Sequence, residues 1–222
     1  MHAVIGPNGA GKTTLVAQIA GEMQPNAGRI LFDGADITDM SMPGRSLRGL
    51  ARSFQITSLF KDFSVRVNVE LAVQARIGHS FRFLRNVKGD RALRDPAMDV
   101  LAEVGLASRA EERAANLAHG EQRQLELAIA LATRPRLLLL DEPMAGMSRE
   151  DSVEIVALLR KLKERHTILL VEHDMDAVFA LADRISVLVY GRCIATGTPA
   201  EIRANVQVRH AYLGEDAETG DA

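Results

Sequence analysis

The residues with the clearest chemistry lie close to the start of the chain. Gly6-Pro7-Asn8-Gly9-Ala10-Gly11-Lys12-Thr13 fits G-x-x-x-x-G-K-[ST], and Thr14 follows it. In such a loop glycines let backbone N–H groups curl around phosphate oxygens, Lys12 reaches the β- and γ-phosphates and Thr13 offers a hydroxyl to Mg²⁺. Further on, Leu137-Leu138-Leu139-Leu140 runs into Asp141-Glu142. Two carboxylates then sit at the C-terminal end of a buried strand, where open α/β sheets keep their ligands. Asp141 can hold Mg²⁺ through its water shell, and Glu142 can orient or deprotonate an attacking water. Thr167 to Val171 ends in Glu172-His173-Asp174, so His173 also falls at a strand's C-terminal end, where a γ-phosphate can be sensed. Each feature has a plainer reading by itself: a Gly-rich turn with a surface lysine, a solvated turn, a structural histidine. Together they describe hydrolysis of a nucleoside triphosphate.

The elements that must position these residues are legible around them. His2-Ala3-Val4-Ile5 reads as the strand before the loop, and Leu15, Val16, Ile19 and Ala20 recur at helical spacing up to Gly21. Arg29-Ile30-Leu31-Phe32 reads as a short strand turning at Asp33-Gly34, and Ile185 to Tyr190, Gly191 and Arg192 to Ala195 read as a hairpin. Apolar strands alternating with helical patterns predict an α/β fold with a largely parallel sheet. From Ser64 to Thr133 there is no strand signal. Ser64 is a candidate N-cap, and Asp95-Pro96 reads as cap and first turn of a helix carrying Val100, Leu101 and Val104. Residues 64–133 are therefore expected to form a helical subdomain inserted into a core of residues 1–63 and 134–214, with 215–222 as a disordered acidic tail. Within the insertion, Leu117-Ala118-His119-Gly120-Glu121 precedes an apolar stripe of Leu125, Ile129 and Ala132, so the segment caps a helix whose N-terminal end attracts phosphate.

Composition narrows the class. The 222 residues are 47% hydrophobic and 25% charged with a formal net charge of −2, which suits a globular chain and gives no global reason to expect nucleic acid. Cys193 is the single cysteine, so no disulfide framework or Cys-based zinc site forms within the chain, which suits a reducing cytoplasm. No apolar run reaches the ~20 residues that span a bilayer, and the N-terminus lacks a signal-peptide layout, so membrane association is expected through a partner. Arg76 to Arg94 mixes Arg82, Arg85, Lys88 and Arg91 with Phe81 and Phe83, and Asp90 is its single acid. Without any RNA- or DNA-binding motif, it reads as a solvated helical face or a face near anionic lipid or membrane subunits.

The order of GPNGAGKT, Gln55 in SFQ, LAHGEQ at Leu117 to Gln122, LLLLDEP at Leu137 to Pro143 and His173 resembles the ATP-binding cassette of ABC transporters, from residue 2 to about 214. The resemblance implies a P-loop NTPase (RecA-like) core and two subunits sandwiching two ATP·Mg²⁺. It gives Gln55, with Thr13, direct hold of Mg²⁺ and a link to the membrane partner. It makes Leu117-Ala118-His119-Gly120-Glu121 the signature closing over the other subunit's ATP, Ala145-Gly146-Met147-Ser148 the loop crossing the dimer interface, and His173 the switch histidine. AHGEQRQLEL, DEPMAGM, VEHDM and AYLGE look closer still to importers of branched-chain amino acids and their urea and amide relatives. Such a subunit works at the cytoplasmic face of the bacterial inner membrane with a second ATPase subunit, permeases and, indirectly, an external solute-binding protein. The family's Leu-Ser-Gly-Gly-Gln stands here as Leu117-Ala118-His119-Gly120-Glu121: Ala118 removes a hydroxyl and Glu121 adds an acid near an anion. Ser148 replaces the acid usual in the interface loop, so the partner subunit is expected to supply part of the catalytic competence. Relatives carry antiparallel strands and an adenine-stacking aromatic before the phosphate loop. The expectation is an N-terminally shortened cassette, with the strand near Ile30 left as an exposed edge. The alternative class is a non-transport cassette ATPase acting on DNA or the ribosome, whose coiled-coil insertions or second cassette are not visible in this sequence.

Overall fold

The computed structural model describes residues 1–53, 59–78 and 90–213. In chain order the elements are β1 (His2–Ile5), α1 (Lys12–Ala20), β2 (Leu31–Phe32), β3 (Ala35–Asp36), α2 (Met42–Leu47), β4 (Leu50–Arg52), α3 (Val65–Ile77), α4 (Arg91–Glu103), α5 (His119–Ala132), β5 (Leu137–Asp141), α6 (Arg149–Leu162), β6 (Ile168–Val171), α7 (Met175–Leu181), β7 (Arg184–Val189), β8 (Arg192–Gly197), α8 (Pro199–Ala204) and α9 (Val206–Leu213). The six-stranded sheet has the order β4-β5-β6-β1-β7-β8. All neighbours are parallel except β7 and β8, which form the expected hairpin.

Both faces of this sheet are covered, and the alternation of side chains shows how. Val4 and Leu139 pack with Val16 and Ala20 of α1 on one face. Ala3 and Ile5 face Val178 and Ile202, while Leu138 and Leu140 face the cluster that includes α5 and α6. A strand buried on two faces needs an unbroken apolar run, which explains the four leucines before Asp141. The described part of residues 64–133 contains α3, α4 and α5 and no strand, only the isolated bridge between Ser64 and Arg113. Ser64 caps α3 by accepting from the Val67 N–H at 3.2 Å.

Helix α4 departs from the sequence reading and begins at Arg91 rather than at Pro96, because Asp90 accepts from the Ala92 N–H at 3.0 Å and buried Leu93, Ala97 and Leu101 extend the apolar stripe back across Pro96. The strand near Ile30 keeps the exposed edge expected of it: among the described residues Leu31–Phe32 pairs on one side alone, antiparallel with Ala35–Asp36, and Leu31 is 62% exposed. The short strand β4 and helix α2 carry too few residues for a readable period.

Helix α2 nevertheless holds the phosphate-loop helix in place. Arg45 is fully buried without a carboxylate partner. Its guanidinium donates to the carbonyls of Gln18 (2.5 Å) and Ile19 (2.8 Å) near the C-terminal end of α1, and to those of Thr38 (2.7 Å) and Met40 (2.9 Å). The fork therefore satisfies carbonyls that the helix end leaves without partners. Arg45→Met is expected to destabilise the chain by roughly 3 kcal/mol or more, since buried acceptors lose their donor. Calorimetry should register this as a melting point lowered by roughly 6–12 °C.

Candidate nucleotide site

The strand carrying the phosphate loop, β1, lies between β6 and β7, with β5 beyond β6. The loop after β1, the acids ending β5 and the histidine after β6 thus leave the sheet at one edge. Gly6 is required by close approach: a Cβ there would lie 2.2 Å from the Leu188 carbonyl oxygen. Gly11 caps α1 at φ +98°, a conformation that favours glycine. Lys12 is buried against its own loop and donates to the carbonyls of Gly6 (2.7 Å) and Pro7 (3.1 Å). The Ala10 N–H closes the turn onto the Pro7 carbonyl at 3.1 Å, and the Gly191 N–H of the β7–β8 hairpin braces the Ala10 carbonyl at 2.9 Å. Asn8, Gly9, Thr13 and Thr14 remain exposed on this preformed cradle. Backbone amides at the start of α1 and a lysine held over the loop make an anion site.

Asp141 pairs in register with Val171, two residues before His173. Its side chain is buried; Oδ2 accepts from Arg52 Nη2 at 2.9 Å, and Oδ1 has no donor among the described residues. Arg52 also pairs with Glu22, so β4 supplies the cation that holds this acid. Glu142 sits at φ +49°, where its N–H still donates to the Val171 carbonyl at 2.8 Å while its side chain turns out of the sheet. The carboxylate is 27% exposed and lies 4.0 Å from Nδ1 of His173, whose ring is 63% exposed. The structure thus places Glu142 and His173 side by side, as their strand ends predict.

The segment from Leu117 to Glu121 lies elsewhere, and none of the described hydrogen bonds joins it to the phosphate loop. Leu117 and Gly120 are buried, while Ala118 and His119 are exposed. Helix α5 starts at His119 with Ala118 as N-cap, so the segment caps the helix as expected, and Gly120 lies inside the first turn. Its small size serves packing: a Cβ would meet Asp151 Oδ1 of α6 at 2.7 Å. Glu121 folds back, with Oε2 accepting from the Ala118 N–H at 2.9 Å and Oε1 accepting from Arg109 at 2.5 Å. Hydrogen bonds donated to Glu112, and the charge of Glu121, hold the Arg109 guanidinium above its ordinary range. Glu121 is therefore a helix cap with a paired charge, not the bare acid that sequence suggests. Ser148 caps α6 by accepting from the Asp151 N–H at 3.1 Å, a role that fits a hydroxyl at this position.

Gln55, residues 79–89 of the basic segment and the 215–222 tail lie outside the described residues. Sequence reasoning missed Arg52, which meets Asp141 across 89 positions, Arg109, which sits only three residues from Glu112 and 12 from Glu121, and Glu172, whose signal was an acid directly after the buried β6.

The residues present fit Mg²⁺ in one respect. Asp141 Oδ1 is a buried acceptor without a donor, suited to a hydrogen bond from a cation's water shell. Among the described residues no group of three or more His, Cys, Asp or Glu side chains could hold a metal unaided. That agrees with a cation bound chiefly through substrate phosphates and water.

Family comparison decides what the geometry belongs to. The ABC transporter family model matches residues 1–145. This chain belongs to the ABC transporter family. A second family, described as branched-chain amino acid ATP-binding cassette transporter, matches residues 192–218. The high-affinity branched-chain amino acid transport ATP-binding protein BraF of Pseudomonas aeruginosa is 40% identical, with 96% of this chain and 86% of that protein covered. LivG of Escherichia coli, of the same description, is 38% identical at the same coverage. The lipopolysaccharide export system ATP-binding protein LptB of Escherichia coli is 31% identical, covering 96% and 85%. Among solved structures, the ADP conformation of MJ1267, an ATP-binding cassette of an ABC transporter, superimposes with a TM-score of 0.83 at 26% identity, covering 96% of this chain and 87% of that one. The fold is that of the ABC ATP-binding domain, a family that hydrolyses ATP.

In such a cassette the Arg109–Glu121 pair has a testable consequence. Arg109→Ala should leave Glu121 uncompensated at an anion-attracting helix end and slow ATP hydrolysis by the assembled complex about fivefold, equivalent to ~1 kcal/mol. Adding Glu121→Gln should recover most of that loss, and a double-mutant cycle of steady-state ATPase rates measures the coupling.

Proposed function

We propose that the chain is the ATP-hydrolysing subunit of an importer for branched-chain amino acids or related polar solutes. The observation that carries this reading is 40% identity to BraF across 96% of the chain, together with the match at residues 192–218 to the branched-chain amino acid cassette family. Lys12, Thr14 and the amides of residues 6–14 bind the ATP phosphates. Thr13 and Gln55 hold Mg²⁺ directly and Asp141 does so through water; when bound, the cation neutralises charge on the β- and γ-phosphate oxygens. Glu142 accepts a proton from the water that attacks the γ-phosphorus, and His173 donates to a γ-phosphate oxygen so that the attack is in line. The leaving oxygen is that of ADP, and its charge is met by Lys12.

The site is completed by a second ATPase subunit, identical or homologous. Leu117 to Glu121 of one subunit closes over the ATP held by the other, with Ala145 to Ser148 crossing between them. Closure reaches the permeases through the segment around Gln55. A groove of about 330 Å³ between α2 and α5, lined by Met42, Pro43, Leu50, Ile129 and by Ser53 and Leu59, supports permease docking there. The chain works as a peripheral subunit at the cytoplasmic face of the inner membrane, and no described helix is long and apolar enough to cross a membrane. The solute-binding protein acts through the permeases.

Glu142→Gln should leave ATP affinity within about twofold while lowering turnover by roughly 10²- to 10⁴-fold, the usual contribution of a positioned base. Equilibrium ATP binding and phosphate release by the assembled complex measure the two separately. Substantial hydrolysis by this variant would assign the base elsewhere. Uptake of labelled leucine, isoleucine, valine, urea and short amides by the same complex identifies the solute.

A further inference from the structure

Beyond these roles, Glu172 is a buried carboxylate that the hydrolysis scheme leaves without a task. Its side chain is only 1% exposed. Oε1 accepts from the Met144 N–H at 3.1 Å, at the entrance to the 145–148 loop. Oε2 accepts from the His173 N–H at 2.9 Å and from the Asp174 N–H at 3.4 Å, and lies 3.6 Å from His173 Nδ1. Asp174 in turn caps α7 through the amides of Asp176 and Ala177. One side chain therefore joins the turn after β5 to the turn after β6.

Glu142 lies inside this clasp. Its N–H is held by the Val171 carbonyl, its carbonyl accepts from the Ala145 N–H at 3.1 Å, and the amide two residues on is held by Glu172. The φ of +49° at Glu142, disfavoured for a residue with a side chain, persists because both flanks are fixed. We propose that Glu172 is a positioning residue that locks Glu142 and His173 in mutual register and ties both to the interface loop at 145–148. This rests on the ATPase reading for its kinetic consequence.

The geometry demands a carboxylate. Both oxygens face N–H donors, and only an acceptor-only side chain serves both turns. Glutamine offers one oxygen and one NH₂ group, so it can hold one turn but places a donor against the amide of the other. In the assembled complex, Glu172→Gln is expected to bind ATP within twofold of the native chain, to keep KM, and to lose roughly 10- to 100-fold in kcat through misplacement of the reacting groups. Hydrogen exchange of the full chain carrying Glu172→Ala, which removes the acceptor from both turns, should show faster exchange in both 143–147 and 173–175. A kcat within twofold of native, or exchange altered in only one segment, overturns the proposal. If the variant does not fold, exchange on the native chain with and without ATP decides the matter. Protection changing together in the two segments supports the clasp, and a change in one alone removes it. Exchange needs no turnover, so a native complex without ATPase activity would refute the importer reading while leaving Glu172 testable.

Discussion

Parallel pairing of β1 between β6 and β7 sets the position of every group assigned to ATP. Ala3 stands opposite both Leu170 and Ile185, and Val4 opposite both Val171 and Ser186, so the phosphate loop leaves β1 level with the turn that carries His173. The pairing of Asp141 with Val171 extends the same level to β5. A one-residue slip in any of these pairings would exchange the side chains between the two buried faces, against layers shaped for others, and move the acids to the wrong height. The apolar packing of Leu138, Leu139 and Leu140 against both layers therefore fixes the chemistry as well as the fold.

What the sequence disclosed follows from this architecture. A doubly buried strand must be apolar throughout and must end where polar groups begin, so β1, β5 and β6 and the residues after them were visible as runs followed by Gly6, Asp141 or Glu172. Features set by contacts distant in the chain were not visible. Arg52 meets Asp141 across 89 positions, and Arg45 meets Gln18 across 27, and no local spacing announces either. Pro96 misled because a proline usually opens a helix, whereas here buried Leu93 stabilises an extra turn ahead of it.

The departures of the signature from the family pattern change meaning once folded. Glu121 looked like an acid set against an incoming phosphate; in place it satisfies an N-terminal amide of α5 and pairs with Arg109, so the helix end keeps its attraction for anions. Ser148 likewise does the capping that an acid would do at the start of α6. Both departures leave the local backbone capped at its helix start.

Charge is distributed around the sheet edge so that few groups are left to react. Arg52 holds one oxygen of Asp141, three amides hold Glu172, and Arg109 holds Glu121. Glu142 differs: it is partly exposed, its backbone is held in a strained turn, and its nearest ionisable neighbour is the His173 ring. Glu142, the base proposed above, is thus a carboxylate held by no Arg or Lys among the described residues.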